Sequence, residues 1–82
     1  MSTTDWRERT YEETYEGELA GLSTRRSIDP SFTIEDAEGT LRHLYIQEGN
    51  EIGRGPLQDA IIEATIAAYE HFIGAWRNET TG

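Results

Sequence analysis

The sequence has no cysteine, and that absence removes two ways of stabilising a small protein. A chain of 82 residues without cysteine forms neither a disulfide nor a thiolate metal site, and it suits a reducing compartment. A chain of this length buries only about 60% of the surface that its unfolded form exposes. Because small domains need additional support, the sequence favours self-association as its source.

Lysine is absent too, so all seven basic residues are arginine, against sixteen acidic residues and a net charge of −9. The segments 1–27, 28–55 and 56–82 are each net acidic. Nucleic acids and anionic membrane surfaces attract clusters of basic side chains, so the sequence predicts neither as a partner. A basic protein partner fits the charge better, although genome composition or adaptation to salt produces the same balance.

Long apolar runs are also missing. No stretch approaches 18 consecutive apolar residues, which predicts that the chain has no membrane span. The segment MSTTDWRERTYEE at the start is polar and lacks the apolar core of a secretory signal. We therefore expect a soluble cytoplasmic protein.

Apolar periodicity indicates three helices and no strand, within a single domain over residues 1–82. The helices are predicted at roughly 5–24, 33–48 and 56–77, with residues 78–82 as a frayed tail. The first helix carries one narrow apolar stripe, formed by Tyr11, Tyr15, Leu19 and Leu22. The second is predicted to begin after an N-cap at Thr33, with Asp36 in its first turn.

The third helix differs because it is apolar around most of its circumference. Glu63 and Glu70 belong to its single polar line. Two short amphipathic helices are not expected to cover so much apolar surface. The sequence therefore predicts an all-α domain of three helices whose long, buried C-terminal helix pairs with a second copy in a dimeric bundle. The candidate interface consists of Ile62, Ile66, Tyr69, Ile73 and Trp76.

The stretch GNEIGRGPLQD, residues 49–59, is the only glycine-rich segment that raises the question of a phosphate site. It lacks the lysine and hydroxyl of a P-loop, and Pro56 removes one amide donor. We interpret it as an elbow in which a left-handed Gly49 ends one helix and Gly55 with Pro56 starts the next. Arg54 remains as an isolated cation that is a candidate for contact with a partner or an acidic ligand.

No motif for catalysis or metal binding is present. Neither His43 nor His71 has a glutamate three residues before it, so the Glu-x-x-His pattern of di-metal bundles is absent, as is HExxH. Glu63 and Glu70 are the better candidates for a perturbed pKa, but a solvent-facing role explains them more simply. We predict no catalytic residues, no metal and no cofactor.

The leading hypothesis is therefore a small acidic helical interaction module, homodimeric and without catalytic activity. Its acidic, aromatic first helix, YEETYEGEL, suits a basic groove on a partner, which makes Tyr11 and Tyr15 candidate contacts. The alternative is a small-ligand-binding protein or accessory enzyme subunit with a site near the 49–56 elbow. That site would draw on four side chains, namely Arg54, His43, Tyr45 and Glu63.

Overall fold

A computed structural model describes residues 5–50 and 55–81 of the chain. These residues form three helices and no strand: α1 is Asp5–Ile28, α2 is Ile34–Gly49 and α3 is Pro56–Thr81. The predicted all-α domain of three helices is thereby confirmed. None of the helices in the described ranges combines the length and apolarity that crossing a lipid bilayer requires.

Two of the helices are longer than the periodicity predicted. α1 continues four residues past position 24, and α3 continues through residues 78–81, which were expected to fray. The last turns of the two helices are joined, because the Arg26 guanidinium donates two hydrogen bonds to the Glu79 carboxylate. Arg26 and Glu79 are 53 positions apart in the sequence, so the periodicity of either helix alone does not reveal this contact.

The ends of α2 and α3 show which local signals were interpreted correctly. Thr33 caps α2, as predicted, and the Asp36 side chain in its first turn completes a reciprocal capping box. The left-handed conformation expected for Gly49 is wrong: this residue is the last of the helix and its φ is not positive. The Asn50 N–H closes the helix on the Gln47 carbonyl instead. α3 begins at Pro56, as expected.

The helix α3 is the centre of the arrangement. α1 runs parallel to it, since Arg7 in the first turn of α1 lies near Glu63 in the first third of α3, and Arg26 pairs with Glu79 where both helices end. α2 runs antiparallel to α3, because Glu38 in its first half pairs with Arg77 and Tyr45 further on bonds to Glu70. In the described residues, α1 and α2 both pack against α3, while their backbones do not approach each other closely.

The chain itself covers much of the apolar surface of α3. Ala60, Ala64 and Ala68 are completely buried. They precede His71 at helical spacing on the same face, and the His71 ring meets α1 at Tyr15. The contact of Tyr15 with His71 and the approach of Arg7 to Glu63 bring α1 to the side of α3 that carries this row. The surplus of apolar residues that suggested a second copy is therefore covered largely by the chain's own helices.

The core cluster lies at the end of the bundle where α1 and α3 finish. Its buried members are Leu22, Phe32, Ala37, Phe72 and Ile73. Phe32, Phe72 and Trp76 form a triangle of rings whose centroids lie 5.5–6.3 Å apart. Such pairs contribute about 0.5–1.5 kcal/mol each beyond the area they bury. The turn between α1 and α2 is thereby fixed to α3.

Candidate functional site

The predicted interface on α3 is partly occupied within the single chain. Ile66 and Ile73 are 6% and 5% exposed, so they have little surface left for a partner. Ile62, Tyr69 and Trp76 are half-buried. Self-association through this face stays a prediction, and Ile62, Tyr69 and Trp76 are the members that retain accessible surface for it.

The other predicted contacts do not come together in one place. Arg54 and most of the elbow lie outside the described residues, so the ligand site proposed there remains a prediction. His43 is exposed on α2. Tyr45 donates a hydrogen bond to Glu70, and this bond, with a smaller effect of burial, raises the pKa of the tyrosine. Glu63 is exposed, with an oxygen 3.9 Å from the Arg7 guanidinium.

Tyr11 and Tyr15 do lie together, at the junction of α1 with α3. Their rings are stacked, with centroids 6.5 Å apart and planes 9° from parallel. The Tyr15 ring also meets the His71 ring edge to face, at 6.3 Å and 76°. Both tyrosines are half-buried, so part of each side chain remains accessible to solvent.

Tyr11 lines one open depression and His71 lines another, so the contacts of Tyr15 with both rings lie between the two. We call the surface that includes both depressions and the three rings the α1–α3 seam. The upper depression, about 190 Å³, lies beside the ends of the two helices. It is lined by Leu19, Ser23 and Arg26 of α1 and by His71, Phe72, Ala75, Trp76 and Glu79 of α3. The lower depression, about 240 Å³, lies beside the first turns of α1 and is lined by Arg7, Glu8, Tyr11 and Glu12.

An ion pair borders the upper depression. Arg26 Nη1 and Nη2 donate to the Glu79 carboxylate at 2.9 and 3.0 Å, and the guanidinium lies 4.2 Å from the centroid of the Trp76 ring. The hydrogen bond from Arg26 lowers the pKa of Glu79, and the same bond raises the pKa of Arg26. Because the two charges satisfy each other, this end of the seam is effectively neutral and its floor is apolar.

The lower depression has the opposite character. Glu8 and Glu12 are both exposed, one helical turn apart, and flank Tyr11. The only cation among the described lining residues is Arg7, which lies 3.9 Å from Glu63 across the helix junction. This end of the seam therefore combines an aromatic ring with excess negative charge.

The described residues provide little for chemistry. They contain no group of three or more His, Cys, Asp or Glu side chains that could hold a metal ion. No polar or charged side chain is buried among those whose burial the structure gives. Both depressions are smaller than the roughly 300 Å³ at which small-molecule pockets begin.

Comparisons with protein-family models, with curated proteins and with solved structures give no match to this chain. Function must therefore be argued from the seam itself. Sequence reasoning selected Tyr11 and Tyr15 but missed Ser23, His71 and Ala75. The spacing of His71, Ala75 and Glu79 along one face of α3 is visible in the sequence. That this face borders α1 follows only from the parallel packing of the two helices.

Proposed function

We propose that this protein is a small, acidic, non-catalytic interaction module of the cytoplasm that docks another protein along the α1–α3 seam. The observation that carries the proposal is the continuity of the seam. The stacked pair Tyr11–Tyr15 and the contact of Tyr15 with His71 connect an apolar groove to an acidic, aromatic depression. Tyrosine and tryptophan at such surfaces commonly supply most of the binding energy.

The position of the seam supports the proposal as well. Successive residues of a helix are about 100° apart, so His71 and Ile73 lie on nearly opposite sides of α3. Ile73 belongs to the core cluster that includes Ala37 of α2, whereas His71 is exposed. A segment bound at the seam would therefore pack beside α1 and α3 without displacing α2.

The same proposal includes self-association, which the sequence predicts from the size of the domain and its apolar C-terminal helix. The half-buried side chains of Ile62, Tyr69 and Trp76 are the members of the predicted interface that retain surface for it. Sedimentation velocity at micromolar concentration tests this part directly. A dimer is expected, and a monomer across the whole concentration series would remove self-association from the proposal without affecting the seam.

Docking at the seam is tested by purification from the native host with a matched pair of variants. Ala75 is exposed and lines the upper groove, while Ala20 is exposed on the outer side of α1. Ala75→Arg should abolish recovery of a partner that the wild-type protein retains, and Ala20→Arg should not. Equal recovery with all three proteins would contradict docking at the seam. Recovery of no partner by the wild-type protein would contradict the interaction module itself.

A further inference from the structure

We infer that the segment that fits the α1–α3 seam is an amphipathic helix with arginine or lysine at one end and large apolar side chains at the other. This inference rests on the proposed function, since it names the chemistry of the partner at the same surface. It follows from the difference between the two ends of the seam.

The upper end requires apolar side chains. Leu19, Phe72 and Trp76 contribute apolar surface to the groove, and the small side chains of Ser23 and Ala75 leave it open. The charges that border this groove are already paired, because Arg26 binds Glu79 through two hydrogen bonds. A charged side chain of the partner would be desolvated here without gaining an unpaired charge to bind, which costs free energy. A leucine or phenylalanine side chain would bury apolar surface, which is favourable.

The lower end requires a cation. Glu8 and Glu12 flank the half-buried ring of Tyr11, and the nearby Arg7 is close to Glu63. A guanidinium or ammonium group against the accessible part of this ring would interact with its π system and with the two nearby carboxylates. The net charge of −9 adds long-range attraction for a basic segment. It also disfavours a second copy of this chain at the seam, since two acidic surfaces repel each other.

The length of the seam favours a helix. From Glu8 to Arg26 the lining of α1 covers 19 residues, a rise of about 27 Å along the helix axis. A partner helix of about five turns would match this distance and complete a four-helix arrangement beside α1 and α3. The described residues form no β-strand, so they offer no sheet edge to which an extended segment could add.

The test uses two synthetic peptides of about 18 residues, the length that spans 27 Å as a helix. Both have the same amphipathic leucine face. One carries arginine over its last two turns, and the other carries glutamate at the same positions. Binding is followed by backbone amide chemical shifts and by the fluorescence of Trp76 in a Trp6→Phe background. The arginine peptide should bind and shift the amides of Tyr15, Ser23, His71 and Ala75, whereas the glutamate peptide should not bind.

Two matched pairs of variants distinguish binding at the seam from non-specific attraction by the net charge of the protein. Ala75→Arg should weaken binding of the arginine peptide about tenfold or more, because it places bulk and a charge in the groove that the apolar side chains of the peptide would fill. Ala20→Arg should leave binding unchanged within error. Glu12→Gln should weaken binding by about 1.5- to 5-fold, the range of an exposed ion pair, whereas Glu13→Gln, which removes the same charge outside the depression, should change it less.

Three results would overturn the inference. They are equal binding of the two peptides, shifts confined to α2, and failure of the arginine peptide to bind at all. None of these removes the proposed function, which is judged by whether Ala75→Arg loses a partner from the native host. A partner lost on that substitution while the arginine peptide fails would mean that the seam docks a segment of different chemistry.

Discussion

The two ends of α3 are buried in different ways. At its upper end, where α1 and α3 finish, rings of Phe32, Phe72 and Trp76 interlock, and α1, α2 and the turn between them all contribute. At its lower end, Ala60 and Ala64 lie completely buried in the junction between helices. The upper end thus depends on large aromatic side chains, and the lower end depends on small alanine side chains. The same helix should respond in opposite ways to changes in side-chain size.

Removing a ring from the upper end should have the largest effect. Phe72 is 5% exposed and contacts two other rings. Phe72→Ala should lower the free energy of unfolding by about 3–5 kcal/mol, measured by urea denaturation. Phe72→Leu, which keeps most of the volume, should lose less and provides a folded comparison.

The matched control is Ile46→Ala on α2, since Ile46 is 70% exposed. That substitution should change stability by less than about 0.5 kcal/mol. If Phe72→Ala proved as mild as Ile46→Ala, the aromatic triangle would not be the centre of stability.

Adding volume to the lower end should have the next largest effect. Ala64→Leu would insert a branched side chain into a position that is 0% exposed and separate α1 from α3. A loss of about 1–3 kcal/mol is expected from such overpacking, again by urea denaturation. Ala75→Leu makes the same change on the same helix at an exposed position and should be nearly neutral. Equal losses for the two variants would show that close approach does not define the lower end.

A substitution at Gly21 tests whether the interior of α1 is a regular, unbent helix. Gly21 is exposed in the interior of α1, and a Cβ placed there meets no atom within 4 Å. Gly21→Ala should therefore stabilise the protein by about 0.5–1 kcal/mol, through the greater helix propensity of alanine. The measurement is the urea midpoint, with Gly17→Ala as a second site of the same kind. A destabilised Gly21→Ala variant would indicate that α1 bends or moves at this point.

The smallest expected effect on stability is the one that arises from the Arg26–Glu79 pair when the pH is lowered. The pKa of Glu79 is lowered by its hydrogen bonds with Arg26, so the folded state holds this carboxylate ionised more firmly than the unfolded state does. Its contribution to stability is present above the ordinary pKa of glutamate, about 4.3, and is lost as the pH falls through the lowered value. Glu79→Gln should reduce the loss of stability in this acidic range. An unchanged pH profile would show that the pair contributes nothing to holding the upper end together.

Local features of the fold could be predicted from the sequence, because they depend on neighbouring residues. The capping box of Thr33 and Asp36 and the start of α3 at Pro56 follow from short-range chemistry. Periodicity also placed Glu63 and Glu70 on the exposed side of α3. The extension of α3 to Thr81 could not be predicted, since it accompanies a contact with α1 far away in sequence.

The partner of each apolar face could not be predicted either. Periodicity shows that α3 has more than one apolar face, but an alanine row allows close approach of any helix. Ala64 and Ala68 are equally compatible with a second copy and with the chain's own α1, and the structure places α1 beside them. The seam could be predicted only in part for the same reason. Tyr11 and Tyr15 can be recognised in the sequence of α1 alone, whereas Ala75 becomes part of the seam only because α1 and α3 pack in parallel.

The parallel arrangement of α1 and α3 also has a consequence for the order of events during synthesis. α1 leaves the ribosome before α3, and the α3 residues that it contacts lie more than 50 positions further along, as in the pair Arg26–Glu79. α1 carries two interior glycines, each of which lowers its helix propensity. The contact of Tyr15 with His71 can form only after most of α3 has been translated. Compared with a hairpin of adjacent helices, such distant contacts slow the closing step.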